Sequence, residues 1–168
     1  MSRRILVAYA SRAGAAEAIG QTLAAGGSEV DVRPMTEIDD VTAYQALVAG
    51  SAIQAHEWLP EAMQFLRRHR APLAQKPFAA FLVCMSMTMR DPRAREFVTS
   101  WLEPVRAPVK PVSEGFFAGA LDLRKVPSFS DRLKFRLSVL LGVWSEGDHR
   151  DWDAIRSWAE KTRPLLAG

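Results

Sequence analysis

With a single cysteine, Cys84, among its 168 residues, the chain can form no internal disulfide. The three histidines, His56, His69 and His149, share no ligand spacing with that cysteine or with one another, which argues against a structural metal site. No apolar run approaches the roughly 18 residues that a bilayer span needs. The chain enters strand-forming sequence at Ile5 without the apolar core of a signal peptide, so a cytoplasmic location is expected. Surplus charge is small, 22 basic against 19 acidic residues for a net of +3. Such a mild balance gives no reason to expect nucleic acid as a partner. Internal repeats, low-complexity tracts and a GxGxxG dinucleotide turn are missing as well. What remains is an ordinary globular composition, 48% hydrophobic and 24% charged, at a length that suits one domain over 1–168 with a substantial core.

Five stretches, 5–10, 29–34, 46–51, 78–85 and 112–118, have strand character and alternate with helical patterns. Three of them are nearly continuous apolar runs, the mark of strands buried on both faces, which points to an α/β protein with a parallel sheet between helices. The first helical pattern, 14–25, stops at Gly26 and Gly27. The next begins with Pro60, aligns Leu59, Ala62, Met63 and Leu66 on one face, and closes with Arg67, Arg68 and Arg70, where cations complement the helix dipole. Asp91 and Pro92 open a third, with Ala94, Phe97, Val98 and Trp101 at helical spacing. Asp151 opens the last, with Ile155, Trp158, Ala159 and Thr162 inward. The Pro-rich stretch 104–111 reads as a short connecting loop.

The first strand passes through Ser11, Arg12, Ala13, Gly14, Ala15 and Ala16 directly into a helix. A helix start presents unpaired backbone N–H groups and the positive end of a dipole, so it holds an anion without needing a lysine. In open parallel sheets ligands settle at the carboxyl ends of the strands. Two further loops reach that edge, one with Ser51, Ala52, Ile53 and Gln54 leading through His56 to Trp58, the other with Met85, Ser86, Met87, Thr88 and Met89. One loop can hold a phosphate while the other two bracket a flat ring. Trp58 is either a ring-stacking residue or an apolar anchor, the methionines either ring neighbours or strand-end packing. Cys84 reads as a small buried hydrophobe.

Between the fifth strand and the last helix lies a segment, 121–147, that a minimal five-strand unit does not require. Leu133, Leu137, Leu140, Leu141 and Trp144 give it a broad apolar helix face, flanked by Arg124, Lys125, Arg132, Lys134 and Arg136 against Asp131. Two readings are open. Either a further helix packs on the sheet, or an interfacial helix or lid meets lipid, quinone or a partner.

Taken together, the strand and loop at 5–14, Gly50-Ser51-Ala52-Ile53 followed by Trp58-Leu59-Pro60, Phe116-Phe117-Ala118-Gly119-Ala120-Leu121, and Gly147-Asp148-His149-Arg150-Asp151-Trp152 resemble the flavodoxin family, in the branch that contains menaquinone-dependent protoporphyrinogen IX dehydrogenase. The resemblance covers nearly the whole chain. It implies a flavodoxin-like three-layer sandwich with a five-stranded parallel sheet ordered 2-1-3-4-5, and non-covalent FMN. The implied activity is an oxidoreductase passing electrons from a reduced organic substrate to a quinone, with 121–147 contacting the inner face of a membrane. Ser11, Arg12, Gly14 and the amides of Ala13, Ala15 and Ala16 would then hold the phosphate. Ser51, Ala52, Ile53, Gln54, Trp58, Ser86, Met87 and Thr88 would bracket the isoalloxazine, with no catalytic side chain assigned. The chain departs from the family at Ala13, Ala15 and Ala16, where hydroxyl or amide side chains are usual. Two lost hydrogen bonds to a charged phosphate, at roughly 1.5–3 kcal/mol each, would weaken FMN by about two to four powers of ten. An interaction module with weakened or lost FMN binding therefore remains an alternative. A soluble electron carrier fits a pI near 9.3 less well.

Overall fold

In the computed structural model, which describes residues 4–10, 14–89, 91–121, 123–125, 128–142 and 146–168, the apolar runs are strands. They are β1 (Arg4–Ala10), β2 (Glu29–Pro34), β3 (Ala46–Gln54), a short β4 (Glu57–Trp58), β5 (Phe78–Val83) and β6 (Ser113–Phe117). Five of these lie in the order β2-β1-β3-β5-β6 with every neighbouring pair parallel, the 2-1-3-4-5 arrangement expected. The sixth, β4, folds back antiparallel on the end of β3, pairing Ile53 with Trp58 and Gln54 with Glu57. Its turn carries no Asn-Gly signal: Ala55 and His56 both adopt left-handed φ values, 50° and 66°. A separate antiparallel ribbon joins β7 (Ala120–Leu121) to β8 (Gly147–Asp148) at the root of the extra segment.

Because successive side chains of a strand point to opposite faces, the sheet feeds two cores. Leu6, Ala8, Leu47, Ala80 and Leu82 face one side. There they meet α2 (Pro60–Arg68), α3 (Arg70–Leu73), α4 (Pro92–Ser100) and α5 (Glu103–Arg106) through Phe65, Leu66, Leu73, Val98 and Val105. Ile5, Val7, Val48, Ala79 and Phe81 face the other, against α1 (Ala15–Ala24) and α7 (Trp152–Leu166) through Ile19, Leu23, Ile155, Ala159 and Leu166. Both expected acidic caps form: Asp91 accepts from the Arg93 amide and Asp151 from the Ala154 amide, each at 2.9 Å.

The structure differs from the sequence reading in several places, and β3, for one, runs on past residue 51 to Gln54. β5 ends at Val83, and Met85–Thr88 form a 3-10 turn instead of extending the strand. The stretch 104–111, read as loop, holds the last three residues of α5. The extra segment folds as α6 (Phe129–Leu140), but not as a helix packed on the sheet: none of its residues is buried. Leu133, Leu137, Leu140 and Leu141 are between 57% and 77% exposed, and Trp144 lies outside the described residues.

Candidate functional site

Each helix of this sheet runs back antiparallel to the strands, so α1 and α7, packed side by side on one face, both begin at the carboxyl edge. Gly14 caps α1 with φ 71° and no side-chain hydrogen bond, a conformation that costs an L residue roughly 1–2 kcal/mol. Ala15 and Ala16 follow with their methyl groups buried in the core. What these two residues can offer an anion is backbone N–H alone. Ser11, Arg12 and Ala13 lie outside the described residues. Beneath the helix start a cavity of only about 10 Å³ is lined by Tyr9, Gly14, Ala15, Ala16, Gly50, Phe81 and Val83, room for about one water. Phe81 fills this floor by lying over its cross-strand partner Gly50, where a Cβ would overlap the ring.

The start of α7 contributes a group that sequence reasoning missed. A Cβ on Gly14 would sit 2.9 Å from Arg150 Nη1, 3.4 Å from the Trp152 ring and 4.0 Å from Glu17 Oε2. Glycine is favoured here by its φ of 71°, while the nearest neighbour is the end of a flexible arginine side chain. The Arg150 guanidinium donates through Nε and Nη2 to the two Asp148 oxygens at 2.7 and 2.6 Å and lies 4.5 Å over the Trp152 ring. These hydrogen bonds hold the Asp148 carboxyl down at about 2 and raise the Arg150 pKa further above its ordinary value. The signal was present in the sequence as topology: once the strand order is granted, the residues just before α7 must flank the start of α1.

The two ring-side loops reach the same edge, but several of their side chains are committed to structure. Ser51 is buried, its hydroxyl donating to the Ala52 carbonyl (2.7 Å) and accepting from the Leu59 amide (3.0 Å). Trp58 is buried in the α2–α5 core. Its Nε1 has no partner among the described residues. Ala52 and Ile53 are half-buried, Gln54 is exposed, and Ser86 and Met87 are half-buried. Exposed Thr88 donates to the Met85 carbonyl at 2.7 Å, closing its own turn. At the hairpin tip His56 stacks on Trp101 of the α4 end (5.1 Å, 28°) and meets Phe97 edge-on at 5.5 Å. Phe97, at helical spacing with Val98 and Trp101, is 54% exposed beside this stack. Cys84 is buried, which pushes its thiol up to about 11 and leaves it inert as a nucleophile near neutral pH.

The arrangement therefore offers amide donors and a guanidinium at one end of the edge, and the half-buried apolar side chains of Ile53 and Met87 at the other. A phosphate matches the first by charge and donor chemistry; a flat ring matches the second. Comparison with known proteins agrees with this fold. A family model described as a flavodoxin domain matches residues 6–149. No curated protein matches significantly in sequence. Among solved structures, a flavodoxin from the domain Archaea superposes with a TM-score of 0.56 at 16% identity, over 98% of this chain and 99% of that one. Two-electron reduced Megasphaera elsdenii flavodoxin gives 0.56 at 13% identity, over 94% and 98%. Oxidised Flavodoxin 2 from Bacillus cereus gives 0.50 at 24%, over 83% and 99%. At these identities the likeness is one of fold.

Proposed function

Since the chain belongs to the flavodoxin family, we propose that it binds FMN at the carboxyl edge of its sheet and acts as an oxidoreductase that delivers electrons from a reduced organic substrate to a quinone. The observation that carries the FMN reading is the start of α1 at Gly14, left without a side-chain cap, beside a cationic side chain. FMN, when bound, would supply the electron-transfer chemistry, and the protein supplies binding, orientation and exclusion of water. Gly14 and the amides of Ala15 and Ala16, with Ser11, Arg12 and Ala13, would take the phosphate. Ala52, Ile53, Gln54, Ser86, Met87 and Thr88 would line the ring, while Ser51 and Trp58 hold those loops in place from beneath.

The quinone half of the proposal rests on the resemblance to the protoporphyrinogen-dehydrogenase branch and on α6. Its apolar side chains are uncovered, and exposed Arg132, Lys134 and Arg136 accompany them, a combination suited to an anionic lipid surface. No described helix is long and apolar enough to cross a membrane, so the contact proposed is peripheral, at the inner face. A second reading, an interaction module that has lost its flavin, is favoured by one observation: the hydroxyls of Ser51 and Thr88 are turned to protein acceptors. One experiment separates the two. Purified protein is mixed with excess FMN and passed through a desalting column. Oxidised-flavin absorbance travelling with the protein supports the redox reading, and a colourless protein fraction overturns it.

A further inference from the structure

We propose that Arg150 is the side chain that completes the phosphate site, supplying the directed hydrogen bonds that Ala13, Ala15 and Ala16 cannot. The inference rests on the FMN reading above and adds a residue on another element, 134 positions from Ala16 in sequence.

Three features of the geometry support it. Arg150 engages Asp148 sideways through Nε and Nη2, which turns the Nη1 end of the fork toward Gly14. Second, a guanidinium beside a helix N-terminus is set against the dipole, which favours negative charge there. Among the described residues, Asp148, and Glu17 in the first turn of α1, are carboxylates that oppose its charge. A phosphate arriving at Gly14 would meet both the amides and the guanidinium, and a planar fork suits phosphate oxygens better than a lone ammonium does. Third, the stack on Trp152 and the two bonds to Asp148 hold the side chain in one place before any ligand arrives, so little freedom is lost on binding. Asp148 sits in the β7–β8 ribbon, so the extra segment's root also carries the anchor of the phosphate site.

The test is the affinity of the full chain for FMN and for riboflavin, which has the same ring and no phosphate, by flavin-fluorescence quenching. One charge-assisted hydrogen bond corresponds to roughly ten- to a hundredfold in affinity. Arg150→Met should weaken FMN by at least about tenfold and riboflavin by less than about twofold, so that the FMN preference collapses. Arg150→Lys, which keeps the stem over Trp152 and one positive charge, should give an intermediate preference and guards against a Met variant that folds poorly. Equal weakening of both flavins in the folded Met and Lys variants would make Arg150 a clamp on the start of α7 and overturn the proposal. An unchanged preference in both variants would do the same while leaving the FMN reading intact. Wild-type protein that binds neither flavin would sink the FMN reading, and this proposal with it.

Discussion

Helix α7 buries Ile155, Ala159, Thr162 and Leu166 against α1 and the sheet, whereas α6 holds Phe129, Leu133, Leu137 and Leu140 largely in solvent and buries nothing. Both follow β6, and both carry apolar residues at helical spacing. The difference is in what surrounds them. α7 exposes mostly charged or polar residues, with Leu165 an exception, and has a sheet face waiting for its apolar one. α6 has basic residues among its leucines, and among the described elements it lies against the 3-10 turn Leu123–Lys125. An apolar stripe on a helix thus states that something must cover it, but not whether the cover belongs to the same chain.

The comparison breaks most decisively at its cores. Ile155 is fully buried and Leu140 is 77% exposed. Ile155→Ala should cost about 2–5 kcal/mol through lost burial and the cavity left behind, while Leu140→Ala should stay within about 0.5 kcal/mol. Urea unfolding of the two variants measures both, and a comparable loss in Leu140→Ala would place α6 in a core after all.

The next effect concerns function. Replacing Leu137, Leu140 and Leu141 together with serine should lower binding to vesicles containing anionic lipid by at least about tenfold, since each leucine inserted into an apolar phase contributes on the order of 1.5 kcal/mol or more. FMN affinity and the unfolding midpoint should hold. Quinone-dependent turnover should fall with vesicle binding; a variant that turns over quinone normally while no longer meeting lipid would separate α6 from quinone access.

How far the sequence reached follows the same division. The strands and the Asp91 and Asp151 caps were legible because buried parallel strands are apolar runs and caps are local chemistry, whereas the order of the strands came only with the family resemblance. β4 and the β7–β8 ribbon were not legible. Each strand is two residues long, too short for a period, and the β3–β4 turn uses Ala55 and His56 where Gly or Asn would announce it. At the site, the helix start at Gly14 was legible as a strand-loop-helix junction. The commitment of the Ser51 hydroxyl was not, because the Leu59 amide reaches it only across the unannounced β3–β4 hairpin, and the aim of Arg150 was not, because it meets Gly14 only through the fold. Phe97 shows the limit of periodicity: its spacing matches that of Val98 and Trp101, yet it lies on the rim of the face they bury.

A pH response should also come from the buried body and not from α6. Burial first, then the nearby Arg68, holds the His69 imidazole below its ordinary 6.5. The folded protein therefore keeps it neutral at a pH where the unfolded chain takes up a proton. Stability should decline as pH falls from about 7 toward 5, and level off once the folded imidazole also protonates. His69→Leu should flatten that slope in denaturant titrations at the two pH values. The variant also gives up the imidazole's hydrogen bond with the Ile38 backbone, so stability should fall at both pH values while the slope between them flattens. A slope unchanged in the variant would assign the response to another group.

The smallest effect sharpens the comparison by charge alone. Glu17, exposed in the first turn of α1, brings a carboxylate oxygen to within 4.0 Å of the point a Gly14 Cβ would occupy, where the FMN phosphate is proposed to bind. Removing that negative charge in Glu17→Gln should tighten FMN about two- to fivefold, as expected for a solvent-screened charge pair. The gain should shrink as salt rises, and vesicle binding should not change. Lys134→Glu reverses a charge on the exposed helix α6 and should do the converse, weakening association with anionic vesicles severalfold and leaving FMN untouched. If the two substitutions each move both readouts, the body and the extra segment act as one surface, and the division between a flavin end and a membrane end is wrong.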